Sequence, residues 1–315
     1  MSAILTKMIE IKNPSTDPAW NIAAEEYLLG HEKSGELFML WRGRPSVIIG
    51  KFQNFYEEVS PALIEKHGID VVRRNSGGGT VYHDLGNVNF TFIADRAEGE
   101  LSYERFLSPI VDFLSTLGVN AEIDSTSALV VDGKKISGNA QAAVGGRVMH
   151  HGTLLFDVEL GALSALTGNA REKVTSRSIK SNPSPVTNIR SNLAHDMDVE
   201  EFISALSVYL GGANHSARKF TSDEITEIDA LADEKYRTWQ WTYGKCPAFT
   251  LESEHVTLRS KGGIIIEASS RDEKYNSALQ HAVGCRIFES DLRDALSKGH
   301  VDEAVMNEII NEILG

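Results

Sequence analysis

Two adjacent arginines, Arg73 and Arg74, stand just before three consecutive glycines, Gly77, Gly78 and Gly79, and Thr80, Val81 and Tyr82 follow. Glycine backbone can take positive φ and lets a ligand come close to its N–H groups. With arginine charge beside it, such a loop can grip an anionic small molecule. The Walker pattern is absent, because no Lys-Ser or Lys-Thr follows the last glycine, and the dinucleotide fingerprint does not fit either. A second reactive type is Lys135, just past Asp132-Gly133, a dipeptide that signals a tight hairpin between apolar runs. Backbone held rigid on both sides lets its ammonium be aimed, and Ser137-Gly138 leaves room for a ligand. Taken alone, each pattern also fits a plain turn with a solvated basic edge.

The elements that must position these residues follow from spacing. Asp17-Pro18 with Trp20, Ala23, Ala24, Tyr27 and Leu28 predicts an amphipathic helix over 18–30, with Glu25 and Glu26 on its solvated edge. Residues 37–41, 46–50 and 71–72 read as strands, the last leading into the arginines. Residues 80–83 and 87–94 read as a strand pair turning at Asp84-Leu85-Gly86, which sends Tyr82 and His83 to opposite faces. His83 and Asp84 read as residues that fix this loop. Gly145-Gly146 predicts a second hairpin running into 147–156. Helices are expected over 103–117, 198–210 and 222–236, and residues 168–192, rich in Ser, Asn, Arg, Lys and Pro, read as a mobile loop region. From Ala248 onward a hairpin turning at 261–263 and three helices form a separate small unit, giving domains 1–245 and 246–315.

The 315 residues accommodate one large domain and a small one. A net charge of −13 leaves no excess of cations for phosphate neutralisation, which argues against nucleic-acid binding. No apolar run approaches the roughly 20 residues that cross a bilayer, and residues 1–11 lack a signal-peptide core. Cys246 and Cys285, with no CxxC, suit a reducing cytoplasm and provide neither a disulfide framework nor a zinc knuckle.

Three stretches together carry a resemblance. The first is Arg73-Arg74-Asn75-Ser76-Gly77-Gly78-Gly79-Thr80-Val81-Tyr82-His83-Asp84-Leu85-Gly86-Asn87. The second is Lys135-Ile136-Ser137-Gly138-Asn139-Ala140, and the third His150-His151-Gly152-Thr153-Leu154-Leu155. In order and spacing they resemble the signatures of the lipoate-protein ligase A family, relatives of the biotin protein ligases. Gly50-Lys51-Phe52-Gln53-Asn54 is similar to a corner of that family, and residues 239–249 resemble the junction to its C-terminal accessory domain.

The resemblance implies an α+β fold: a biotin/lipoate-ligase-like catalytic domain of mixed sheets flanked by helices, plus a small α+β domain. It implies ATP-dependent attachment of lipoate, through lipoyl-AMP, to a lysine of lipoyl-carrier proteins, the E2 domains of 2-oxoacid dehydrogenases or the glycine cleavage H protein. Nucleotide contacts fall on Arg74, Gly77, Gly78, Gly79, Thr80, Val81 and Tyr82, and the catalytic lysine shared by nucleotide and acyl group falls on Lys135. Lipoate contacts fall on Lys135, Val72 and His151. Val72, Val81 and Leu154 could line an apolar acyl tunnel, with plain core the better reading for each of them. ATP, Mg2+ and lipoate are the implied ligands; the residues that hold the metal are not identified.

One departure matters. Family members carry Asn-Asp before the lysine segment, where this chain has Ser127-Ala128. Either another carboxylate such as Asp124 takes over, or adenylation is weak and the protein transfers preformed lipoyl-AMP or a lipoyl group from another carrier. Transferases with a cysteine nucleophile are disfavoured because no cysteine precedes Cys246. A non-catalytic binder of lipoate or of lipoyl domains is a further reading, against which retention of Lys135 and the glycine loop argues. Biotin as substrate fits the three stretches less well than lipoate.

Overall fold

A computed structural model describes residues 8–96, 102–167, 170–182 and 184–314. The first seven residues of the stretch read for an export signal, and positions 168, 169 and 183 of the expected loop region, lie outside the described residues.

The framework is a six-stranded mixed sheet. Its order is Asn139–Val144, Arg147–Leu155, Asn87–Asp95, Leu37–Trp41, Ile9–Lys12, Ser216–Lys219. The first four are mutually antiparallel and the last two join in parallel. Alternation along each strand divides the side chains between two cores. Met39 and Ile93 face one, beneath helix Pro18–His31. Phe38, Leu40, Phe90 and Phe92 face the other, against helices Glu104–Thr116 and Val199–Gly211.

Asp17 caps the first helix by accepting from the Ala19 and Trp20 amides, with Pro18 at the first helical position. The Asp132-Gly133 turn forms as expected, both residues at positive φ (49° and 72°), and joins Leu129–Val131 to Lys134–Ser137. Gly145 and Gly146, also at positive φ, turn the chain between Asn139–Val144 and Arg147–Leu155.

Residues 81–83 and 87–95 are not a hairpin. Val81–His83 joins Ser46–Ile49 and Asp70–Arg73 in a separate three-stranded sheet, whereas Asn87–Asp95 lies in the large one. Asp84 accepts the amides of Gly86 and Glu159 and makes this a corner between sheets.

The small sheet lies between two cores. Ile48 and Val72 face the core under the first helix, and Val47 and Ile49 face a third core shared with the C-terminal residues. That third core is built on the sheet Val174–Ser176, Phe249–Glu252, Thr257–Lys261, Ile264–Ser269, with helices Glu289–Lys298 and Glu303–Leu314. The region expected to be a mobile loop therefore supplies a strand, Val174–Ser176, paired with Phe249–Glu252. Phe55 and Tyr56 pack among Phe249, Tyr243 and Phe288, so the C-terminal unit closes its core on residues from the first part of the chain. No helix among the described residues is long and apolar enough to cross a membrane.

Candidate active site

A cleft of about 500 Å³ opens where the glycine loop, the Lys135 hairpin and the first helix meet. Its wall has two characters. Ile22, Trp41, Ile48, Val81 and His83 make one part mostly apolar; Asp124, Thr126, Lys135, Lys180 and Ser181 make the other polar.

Arg74 is buried in the wall and binds protein carbonyls: Nη2 donates to Gly77 O (2.6 Å) and Gly79 O (2.7 Å), and Nη1 to Ile48 O (3.1 Å). Burial pulls its pKa down to about 10, with Glu25 opposing and Arg73 assisting the fall. It shapes the loop as well as charging it. Gly50 lets the loop close: a Cβ there would meet Gly78 O at 2.1 Å. Gly78 itself takes φ 87°.

Gln53 ties the loop to the chain above it. Its Oε1 accepts from the Gly50 amide (2.9 Å) and Thr80 Oγ1 (2.9 Å), and its Nε2 donates to Ser181 Oγ (3.0 Å). Ser181 Oγ in turn accepts from the Thr80 amide at 2.7 Å. On the hairpin side, the Lys135 amide donates to Pro185 O (2.8 Å) and the Thr187 amide to Lys135 O (3.0 Å), while residues 179–182 and Ser184 line the cleft.

Lys135 lies across Gly138, where a Cβ would meet Nζ at 3.1 Å. Burial lowers its pKa, Arg74 acts the same way and Asp124 opposes. Asp124 is held by a closed turn: Oδ1 accepts from the Thr126 amide (2.7 Å), Thr126 Oγ1 (2.7 Å) and the Ala128 amide (2.9 Å). Partial burial opposes its ionisation, but these bonds and the charge of Lys135 outweigh that and keep its pKa below the ordinary value.

Behind the wall runs a buried polar chain. Glu25 Oε2 pairs with His151 Nδ1 (2.8 Å), and His151 Nε2 meets Ser76 Oγ (2.6 Å), which accepts from Arg74 Nε (3.1 Å). Thr91 donates to Glu25 Oε1 and accepts from Trp41 Nε1. Glu25 is thus not on a solvated edge: it is 1% exposed and reaches the cleft wall. The sequence signal was present, since Ala, Ile, Leu and Trp surround it on every side of the helix, the mark of a helix buried all round. Glu26 is the outward neighbour and pairs with Lys235 and Tyr236.

Of the residues expected here, Arg74, Gly78, Gly79, Thr80, Val81, Lys135 and His151 share the cleft wall. Four do not. Strand alternation turns Tyr82 to the opposite face, against the C-terminal core, and sends Val72 into the core under the first helix. Leu154 lies in the core on the other face of the large sheet. Gly77 offers its carbonyl to Arg74 from outside the wall. Arg73, whose charge the sequence also offers to an anion, is fully buried away from the cleft and donates to the carbonyls of Gly50, Gln53, Trp241 and Thr242. Gln53, Asp124 and Ser181 are the contributors that motif reading underweighted.

Two buried histidines make a pH prediction. Burial, reinforced by nearby positive or histidine groups, drives His83 and His150 down to about 3, against about 6.5 in the unfolded chain. Between those values the unfolded chain binds more protons, so stability is retained above pH 6.5 and falls as pH drops toward 3. The slope is roughly 1.4 kcal/mol per pH unit for each histidine. Urea unfolding at pH 7.5 and pH 5 measures it; equal stability at both would contradict it.

Comparison with known proteins agrees with this geometry. The lipoyl protein ligase A/B catalytic domain family matches residues 17–211. The chain is 41% identical over 288 residues to lipoate-protein ligase LplJ of Bacillus subtilis, covering 89% of this chain and 84% of that protein. A bipartite lipoate protein ligase of Thermoplasma acidophilum, solved in a study of that ligase and its E2 lipoyl domain, superposes with a TM-score of 0.65. Its sequence is 25% identical, over 76% of this chain and 97% of that one. A lipoate-protein ligase A bound with ATP gives a TM-score of 0.65 at 26% identity, over 76% of this chain and all of that one. The fold is that of the biotin/lipoate protein ligases, α+β with mixed sheets and flanking helices. Within that class the chain belongs to the lipoate-protein ligase family.

Proposed function

We propose that this protein is an ATP-dependent lipoate-protein ligase that forms lipoyl-AMP and passes the lipoyl group to a lysine of a carrier domain. The observation that carries the reading is one cleft holding Lys135, the glycine loop and an apolar wall together. A carboxylate oxygen of lipoate attacks the α-phosphorus of ATP and pyrophosphate leaves. The carrier lysine amine then attacks the acyl carbon and AMP leaves. Neither step needs a nucleophilic side chain; both need fixed charge and alignment of the reacting groups.

Lys135 is the cation that meets the α-phosphate and then the acyl oxygen as it gains charge. Gly78, Gly79 and Thr80 line the nucleotide, and Arg74 holds the loop in place through the carbonyls of Gly77 and Gly79. His151, fixed by Glu25 and Ser76, and Val81 border the acyl group. The carriers are E2 lipoyl domains or the glycine cleavage H protein, and the reaction takes place in the cytoplasm. Incubating the protein with ATP, lipoate and a lipoyl domain should raise the intact mass of that domain by one lipoyl group. An unchanged mass would contradict the reading.

Asp124 takes the place of the acid that the family resemblance puts at Ala128. Both residues lie on the cleft wall, and Asp124 directs Oδ1 inward to its own turn, leaving Oδ2 for a ligand. The Asp124 carboxylate is a hard oxygen donor of the kind that suits Mg2+, and Asp124 would be the residue to hold that ion. When bound, Mg2+ would offset phosphate charge. Asp124→Asn should lower adenylate formation about 10- to 100-fold, in keeping with loss of one charged contact. Adding Ala128→Asp to that variant should recover most of the rate. An Asp124→Asn enzyme as fast as the parent would show that activation runs without either acid.

A further inference from the structure

Resting on the lipoate reading, we propose that Lys180 is a self-lipoylation site and that Glu57 holds it off, so that the lipoyl group waits for its carrier. The adenylate must be open to the amine of a carrier lysine, yet the protein places a lysine of its own on the same wall. Lys180 lines the cleft, and its side chain is 58% exposed. A tethered amine acts at an effective concentration of roughly millimolar or more, enough to compete with a free protein. Glu57 lies behind the wall on the short helix Phe55–Glu58, its side chain 1% exposed. Residues 176, 178 and 180 all converge on it. Its Oε2 accepts from Ser176 Oγ (2.6 Å) and Ser178 Oγ (2.7 Å), and its Oε1 meets the Lys180 ammonium at 2.8 Å.

This pair opposes acylation in two ways. Lysine attacks an acyl carbon only as the neutral amine, and a carboxylate beside it favours the ammonium. The pair also ties the nitrogen to the helix. Glu57 stays charged despite its position: burial opposes ionisation, but Lys180 and the two serine hydroxyls outweigh it and keep its pKa below the ordinary value. The hold can open, because the contact is an ion pair at a half-exposed ammonium, without the alignment of a hydrogen bond. Once released, Lys180 Nζ gives a proton to solvent and attacks the acyl carbon of lipoyl-AMP. An amide bond forms, the bond from acyl carbon to phosphate oxygen breaks, and AMP leaves with that electron pair. Lys135, the other amine on the wall, meets the phosphate, which favours its ammonium.

The test incubates the protein with ATP, Mg2+ and lipoate but no carrier, follows pyrophosphate, and reads the protein's own intact mass with peptide mapping. The parent should gain a lipoyl group slowly, and Glu57→Gln about 5-fold faster on Lys180, the upper end for a half-exposed ion pair. Glu57→Asp keeps a carboxylate but draws it back from Lys180, and should fall between the two. Ser178→Ala loosens the same segment while leaving the ion pair, and should match the parent, which separates charge from fold. Glu57→Gln combined with Lys180→Arg should lose the adduct. If Glu57→Gln or Glu57→Asp still lipoylates a carrier domain but modifies itself no faster than the parent, the inference is overturned. An adduct on Lys135, one that persists in Lys180→Arg, or a Ser178→Ala rate equal to that of Glu57→Gln would also overturn it. A parent that releases no pyrophosphate would instead overturn the ligase reading itself.

Discussion

Lys135→Ala should slow adenylate formation and lipoyl transfer by about 10²- to 10³-fold, the usual cost of removing one fixed group that stabilises charge in a transition state. Stability should change little, because Lys135 uses its backbone, not its ammonium, to pair with Pro185 and Thr187. Gly138 leaves space for the ammonium, and burial, which lowers its pKa against the pull of Asp124, makes a cation that a bound anion would stabilise. Single-turnover measurement of each half-reaction checks the prediction. A variant with no rate difference from the parent in either half-reaction would show that catalysis does not depend on this ammonium.

Gly50→Ala should impair the same cleft without touching a charged group. The new methyl would sit 2.1 Å from Gly78 O and 3.2 Å from Gln53 Oε1, and neither can yield easily. Gly78 O belongs to backbone whose neighbouring carbonyls are gripped by Arg74, and Gln53 is tied to Thr80 and Ser181. Overpacking of this kind costs about 1–3 kcal/mol. Here the strain falls on the nucleotide loop, so ATP affinity should fall about 10-fold or more, since a tenfold change in binding is about 1.4 kcal/mol and lies inside that range. Gly30→Ala is the matched control. Gly30 is in the first helix with nothing within 4 Å of an added Cβ, and alanine there should stabilise by up to ~1 kcal/mol. Isothermal titration with ATP and thermal unfolding measure both; unchanged ATP affinity in Gly50→Ala would show that the loop is not the nucleotide site.

The residues that gather at the cleft were legible where local sequence determines local shape. Asp132-Gly133 specifies a turn by its own backbone preferences, and that turn brings Lys135 to the wall. Gly78 and Gly79 are permitted where side chains are not, for the same reason. What was not legible depended on pairing between distant strands. Nothing within residues 80–94 states that 81–83 pairs with 46–49 while 87–95 pairs with 37–41, so a corner read as a hairpin. Tyr82 and Val72 were misplaced by the same gap, since facing directions follow from the sheet a strand joins. Glu25 was misread by treating charge as a sign of solvent, where burial on all sides of its helix gives it a histidine partner instead. The strand at 174–176 could not be found by composition, because its pairing partner lies more than seventy positions away.

Whether activation survives without an acid at position 128 decides between a complete ligase and a transferase. The most direct measurement is pyrophosphate release by the purified protein with ATP, Mg2+ and lipoate, before any carrier domain is added. A complete ligase should release pyrophosphate in a lipoate-dependent way, about 10²- to 10³-fold more slowly in Lys135→Ala. No release, followed by efficient transfer from supplied lipoyl-AMP to a lipoyl domain, would contradict it and leave a protein that only completes a reaction begun elsewhere.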